Sequence, residues 1–164
     1  MQIKPKPSGF SLVELLIYMG LSSIILTVVA GLFVAVLESQ LRSEQSSIME
    51  QDSRYLIAKL SYEITQADEL LIPAILGESA NQLQLATSGQ PVILELDNQD
   101  LEITKNGLVY QLNHSLTTVD NFQVTRLGNE EGQPVIQVNL TLSSQIQAEG
   151  QPSTKDYQIT VSLR

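Results

Sequence analysis

The chain has 164 residues, a formal charge of −9 and no cysteine. That length fits one small domain and one membrane helix. The acidic balance argues against nucleic acid as a direct electrostatic partner. The missing thiols exclude a structural disulfide, a thiolate metal site and a cysteine nucleophile. Aromatics are sparse, with no tryptophan, so the fold must rest on its apolar core alone.

Residues 1–9, MQIKPKPSG, carry Lys4 and Lys6 and end on Gly9. Phe10-Ser11-Leu12-Val13-Glu14 follows, and from Leu15 to Leu37 the chain runs 23 residues without a charge. That run is roughly long enough to cross a bilayer as a helix. Glu14 lies at its start. A carboxylate in hydrocarbon costs roughly 3 kcal/mol or more, so an acidic residue there is a functional candidate. An ordinary secretory signal is cut after its apolar region, behind small residues. Here the small residue Gly9 precedes the apolar region, and Glu38-Ser39-Gln40 behind it is no such site. The apolar run therefore stays on the mature chain. Lys4 and Lys6 lie ahead of it and Glu38, Arg42 and Glu44 behind. The positive-inside rule then sets the N-terminus in the cytoplasm and the remainder outside.

The pattern continues as an amphipathic helix. Leu41, Ile48, Leu56, Leu60, Ile64, Ala67 and Leu71 recur as one stripe of a 3.6-residue period. Arg42, Glu44, Glu50, Asp52, Lys59 and Glu63 read as the solvated opposite face. Pro73 ends the pattern, because proline disfavours a helical residue before it. From Gln82 the period becomes two: Leu83 and Leu85, then Val92, Leu94 and Leu96, then Leu101 and Ile103. Asn106-Gly107 is a hairpin turn leading into Leu108, Tyr110 and Leu112. Further runs hold Phe122 and Val124, then Ile136 to Leu142, then Tyr157 to Leu163. These give about six strands with one buried face. Gly128–Pro134 and Ala148–Ser153 read as loops, Gly77 and Gly89 as turns. One long helix followed by antiparallel strands is an α+β order.

Gly9-Phe10-Ser11-Leu12-Val13-Glu14, with Leu15-Leu16-Ile17, resembles the type IV prepilin signature shared with type II secretion pseudopilins. The resemblance covers about a quarter of the chain. It implies an aspartyl prepilin peptidase cutting between Gly9 and Phe10, then N-methylation of Phe10. It implies a pilin-like α+β fold with a long N-terminal helix, membrane-spanning in its first half, packed on an antiparallel sheet. The expected divisions are a leader at 1–9, a transmembrane and assembly half at 10–37, an amphipathic half at 38–72 and a β-rich globular domain at 73–164. Implied partners are other pilins or pseudopilins, the peptidase, an inner-membrane assembly platform and the lipid bilayer. Removing Lys4 and Lys6 with the leader takes the charge from −9 to −11.

In the same family Glu14 of an incoming subunit would meet the Phe10 amine of a neighbour and set the axial step. Either charge alone is costly in low dielectric, and the pair much less so. The alternative is that Glu14 pairs with its own N-terminus or reaches the headgroups. Gly20, Ser22, Ser23, Ala30 and Gly31 would let helices approach closely in lipid, or are ordinary membrane-helix content. Major pilins usually carry a helix-breaking proline near Gly31 and often a C-terminal disulfide; this chain has no proline between Pro7 and Pro73 and no cysteine. Tyr157–Arg164 and the region around Asn106 are similar to PilW-like and J-type minor subunits. The leading reading is a minor pilin or pseudopilin in an initiating or tip complex. A major pilin and a signal-anchored sensor or adhesin that never polymerises are the alternatives.

No catalytic, cofactor or metal set stands out. His114, the one histidine, could be imagined with Ser115 and Asp120, but nothing in the spacing fixes a triad. Asp97, Asp100, Glu102, Glu130 and Glu131 lack the spacing and glycine of a calcium loop. Asn113-His114-Ser115 and Asn139-Leu140-Thr141 match the glycosylation sequon, the second inside a strand.

Overall fold

The computed structural model describes residues 11–128, 132–148 and 150–163. One helix, α1, runs Leu12–Gln66. Among the described residues nine strands follow: β1 Glu69–Ile72, β2 Ser79–Ala80, β3 Gln82–Thr87, β4 Gln90–Asp97, β5 Asp100–Lys105, β6 Leu108–Gln111, β7 Thr117–Leu127, β8 Val135–Ala148 and β9 Gln151–Ser162. The chain divides into two compact units, one ending at Gln40 and the other beginning at Leu41.

The second unit is a helix segment packed on two antiparallel sheets, an α+β, pilin-like architecture. The first sheet has the order β1-β3-β4-β5-β6 and the second β2-β7-β8-β9. Two sheets replace the single one expected from the alternating pattern. Alternation marks which face of a strand is buried, and two sheets facing one core read the same. The core joins Met49, Leu56, Leu60 and Ile64 of α1 to Leu83, Leu94 and Leu101 of the first sheet and Phe122, Val138 and Leu142 of the second.

The first sheet is built from two-residue hairpins. Asn106-Gly107 joins Lys105 to Leu108 with φ of 53° and 77°, the mirror-image turn that matches strand twist. Asn98-Gln99 makes the same kind of connection with φ of 46° and 72° and no glycine. In β7 a bulge between Val119 and Asn121 shifts the register. Val119 and Phe122, three apart, therefore both reach the core.

Three sequence expectations are corrected. The helix stops at Gln66 rather than continuing to Leu71, which lies in β1. Asp68 N–H donates to Ala86 O at 2.8 Å, and the Asp68 carboxylate accepts Ser88 N–H at 2.6 Å. Sheet pairing thus captures the chain before Pro73 acts, and Leu70 is buried in β1. The stretch 148–153 is not a loop: β8 extends to Ala148 and β9 begins at Gln151, because Gly150, at φ 71°, closes the hairpin tightly. Finally, Asp52 and Glu63 are buried on the packed stripe rather than on a solvated face. Leu41, assigned to that stripe, is exposed, and Met49 takes a core position.

Candidate functional site

The first unit begins with a helix cap. Ser11 Oγ accepts the Glu14 N–H at 3.2 Å, and Ser11 O accepts the Leu15 N–H at 3.2 Å. Ser11 is thereby the N-cap and Glu14 the third helical residue, the spacing of a capping box. An acid in the first turn is also favoured by the helix dipole. Ser11 escaped the sequence reading, although a serine three residues before a glutamate is itself the signal. Among the described residues no basic side chain pairs with Glu14. Gly9 and Phe10, the expected cleavage and methylation positions, lie outside the described residues, and so does half of the Phe10–Glu14 pair.

Every residue from Ser11 to Leu37 is exposed. The helix includes a window of mean hydropathy 2.5, none of it buried, so by length and composition it can cross a membrane. Uncovered aliphatic surface of that extent needs lipid or other helices around it. Two hydroxyls inside the run are satisfied by the helix itself. Ser23 Oγ donates to Gly20 O at 2.8 Å and Thr27 Oγ1 to Ser23 O at 2.9 Å, which removes the cost of carrying free hydroxyls into hydrocarbon. At Gly20 and Gly31 an added Cβ would meet nothing within 4 Å. Glycine in a helix interior costs about 1 kcal/mol relative to alanine, and no contact among the described residues requires it at either position.

The second unit holds two buried carboxylates that act as clasps. Asp52 accepts the His114 N–H at 3.1 Å and the Thr117 hydroxyl, tying α1 to the segment between the sheets. Beside it, buried Asn113 accepts Leu101 N–H at 2.8 Å and donates to Thr117 O at 2.8 Å and to Asp100 Oδ1 at 3.1 Å. Its amide is thus committed, so the sequon at Asn113 has no free nitrogen to modify. Glu63, 1% exposed, binds Lys105 at 2.7 Å and Lys59 at 2.9 Å. Burial opposes its ionisation, but the bonded Lys105 and Lys59 ammoniums outweigh that and lower its pKa. The hydrogen bond to Glu63 in turn raises the pKa of Lys59, against the opposing effect of burial.

The imagined triad is not assembled. His114 Nδ1 accepts the Leu116 N–H at 3.1 Å, and Asp120, at the β7 bulge, takes the Ser143 hydroxyl. A cleft of about 530 Å³ runs beside α1 between Tyr55, Ile48 and the His114 segment. Of the acidic residues considered for calcium, Glu130 and Glu131 lie outside the described residues. Asp100 is engaged by Gln111 and Asn113, and among the described residues no group of three potential ligands gathers.

Neither a curated protein nor a solved structure matches the chain. Residues 4–30 match the family described as the prokaryotic N-terminal methylation motif, and so this chain carries the prepilin-type signature at its N-terminus.

Proposed function

We propose that the protein is a structural subunit, a minor pilin or pseudopilin, of a type IV filament machine. The methylation motif supports a type IV pilin- or pseudopilin-like protein, and implies association with other pilins and with a prepilin peptidase. One observation carries the reading: the motif at 4–30 coincides with a capped helix whose apolar residues are uncovered from Leu12 to Leu37. In this reading residues 1–9 are a leader, cut after Gly9, and Phe10 becomes an N-methylated terminus. Residues 10–37 are the membrane and assembly segment, with the N-terminus cytoplasmic and the β-rich domain outside. Once filaments form, Glu14 neutralises the Phe10 ammonium of a neighbour, its own helix start being held by Ser11. Tyr55, Tyr62, Leu108, Val109 and Tyr110 are exposed on the second unit, and supply apolar surface that subunit packing would cover. The unbroken helix favours the minor over the major subunit.

Mass spectrometry of the mature N-terminus from native membranes tests this. The expected product begins at N-methylated Phe10. A chain still beginning at Met1, with the cognate peptidase present, would reduce the protein to a signal-anchored domain.

A further inference from the structure

The two buried carboxylates of α1 differ in one respect. Glu63 lies against cations of its own chain, Lys105 at 2.7 Å and Lys59 at 2.9 Å. Asp52 is 6% exposed, and its donors are neutral, the His114 N–H and the Thr117 hydroxyl. Among the described residues no salt bridge reaches it. Neutral donors satisfy lone pairs but leave the charge uncompensated, and a buried charge is costly until it is paired.

The second unit itself shows what fills such a place. The Lys59 ammonium bonds the Glu63 carboxylate and stands over the Tyr62 ring, 5.8 Å from its centroid. Tyr55 follows Asp52 at the same spacing at which Tyr62 follows Lys59, one heptad earlier on the same helix face. There the ring and the buried carboxylate are present without a cation. Both line the cleft of about 530 Å³ beside α1, a volume within the range of small-ligand sites.

The rest of the lining restricts the occupant. Ile48 and Leu112 offer aliphatic surface, Gln51 and Ser115 are uncharged, and the amide of Asn113 is already committed. No lysine or arginine lines the cleft, so an anion would meet the Asp52 charge unaided. A metal ion needs more ligands, and among the described residues no group of three gathers. An uncharged ligand would leave the Asp52 charge as it is. An ammonium or guanidinium on an aliphatic stem meets each condition. Its head takes the carboxylate and the Tyr55 face, and its stem lies along Ile48 and Leu112. Exposed Tyr62 and Leu116 extend the apolar surface past Tyr55 and Ser115, which a protein surface would cover and a free amine would not. A chain of charge −9 favours a basic protein over a second copy of itself.

We propose that the Asp52 and Tyr55 cleft seats a lysine or arginine side chain of a basic partner protein. The proposal rests on the cleft alone, so it and filament assembly can fail separately. His114 lines the cleft and is the one histidine of the chain. Its ring resonances, in the isotope-labelled full chain in detergent micelles at constant pH, therefore report occupancy. The probe is a blocked leucine–arginine–leucine peptide, compared with its citrulline counterpart, which has nearly the same shape and no charge. Saturable shifts are expected with the arginine peptide, and none with citrulline at the same concentrations. Asp52→Asn retains an acceptor for the His114 N–H and should weaken binding about tenfold. Tyr55→Leu, at an exposed position, should weaken it about threefold. Asp156→Asn removes an equal charge from the exposed face of β9 and should leave it unchanged. Absence of shifts with the arginine peptide overturns the proposal. Equal shifts with citrulline, or binding that survives both Asp52→Asn and Tyr55→Leu, overturn it too. Agmatine binding as tightly as the peptide would make the occupant a free amine and overturn the protein partner. Shifts that follow protein concentration without peptide would assign the cleft to a second copy and equally overturn it.

Discussion

Single residues in this protein separate by whether their partners lie within the chain. Glu14 has its backbone N–H held by Ser11, while its carboxylate has no basic partner among the described residues. Glu14→Ala should therefore leave membrane insertion and leader removal intact and abolish incorporation into filaments. Recovery of the variant at normal levels in sheared filaments would sink that role. Asp52 is the opposite case, since both its hydrogen-bond donors are internal. Asp52→Ala removes the acceptor of the His114 N–H and leaves the buried Thr117 hydroxyl only its bond to His114 O, and should cost about 1–3 kcal/mol in denaturant unfolding of the micelle-bound chain. Tyr157 has a buried hydroxyl with no partner among the described residues. Tyr157→Phe should be neutral or stabilise by roughly 1 kcal/mol, because the desolvation cost of that hydroxyl disappears.

Among the elements, α1 and β5 are joined by a buried acid between two lysines. Glu63 has a pKa lowered from its ordinary value of 4.5. A lowered acid contributes stability that is fully present above its unfolded pKa and is lost as pH falls through the folded one. Unfolding free energy should accordingly drop on acidification below about pH 4.5, and Glu63→Gln should flatten that part of the profile. Lys59, raised above 10.5, contributes stability present below that value and lost as pH rises through its folded pKa. The hairpins give a prediction of opposite sign to the usual glycine rule. Gln99 holds φ of 72° without a glycine, a conformation costing a side chain about 1–2 kcal/mol. Gln99→Gly should stabilise by about 0.5 kcal/mol once the looser unfolded chain is counted. Gly107→Ala should destabilise, and a pair of chemical denaturation curves would separate the two signs.

For the whole molecule, the apolar helix of the first unit is the largest surface left uncovered among the described residues. Gly31 distinguishes folding from assembly on it. An added Cβ there meets nothing within 4 Å, so Gly31→Leu should not destabilise the monomer and should gain up to about 1 kcal/mol of helix propensity. Cross-linking between neighbouring helices in native membranes should fall, because a leucine holds the backbones apart. Equal cross-linking in the variant and the native chain would place the helix contact elsewhere.

The sequence by itself determined the helix long and apolar enough to cross a membrane, the methylation signature and the inward face of nearly every strand. Each of these is written in residues that are neighbours along the chain, as an apolar run, a short motif or an alternation. The tertiary structure decided where α1 ends, because Asp68 answers to Ala86 and Ser88 rather than to the turn before it. It decided that Asp52 and Glu63, read from the sequence as part of the solvated face, are buried on the packed stripe, three residues from Met49 and Leu60. Acids are ordinarily solvated, and only Thr117 and Lys105, far along the chain, make their burial affordable. It also decided that the strands form two sheets. Strand alternation reports a face and not a neighbour, so pairing between segments far apart in sequence stays invisible until the chain is folded.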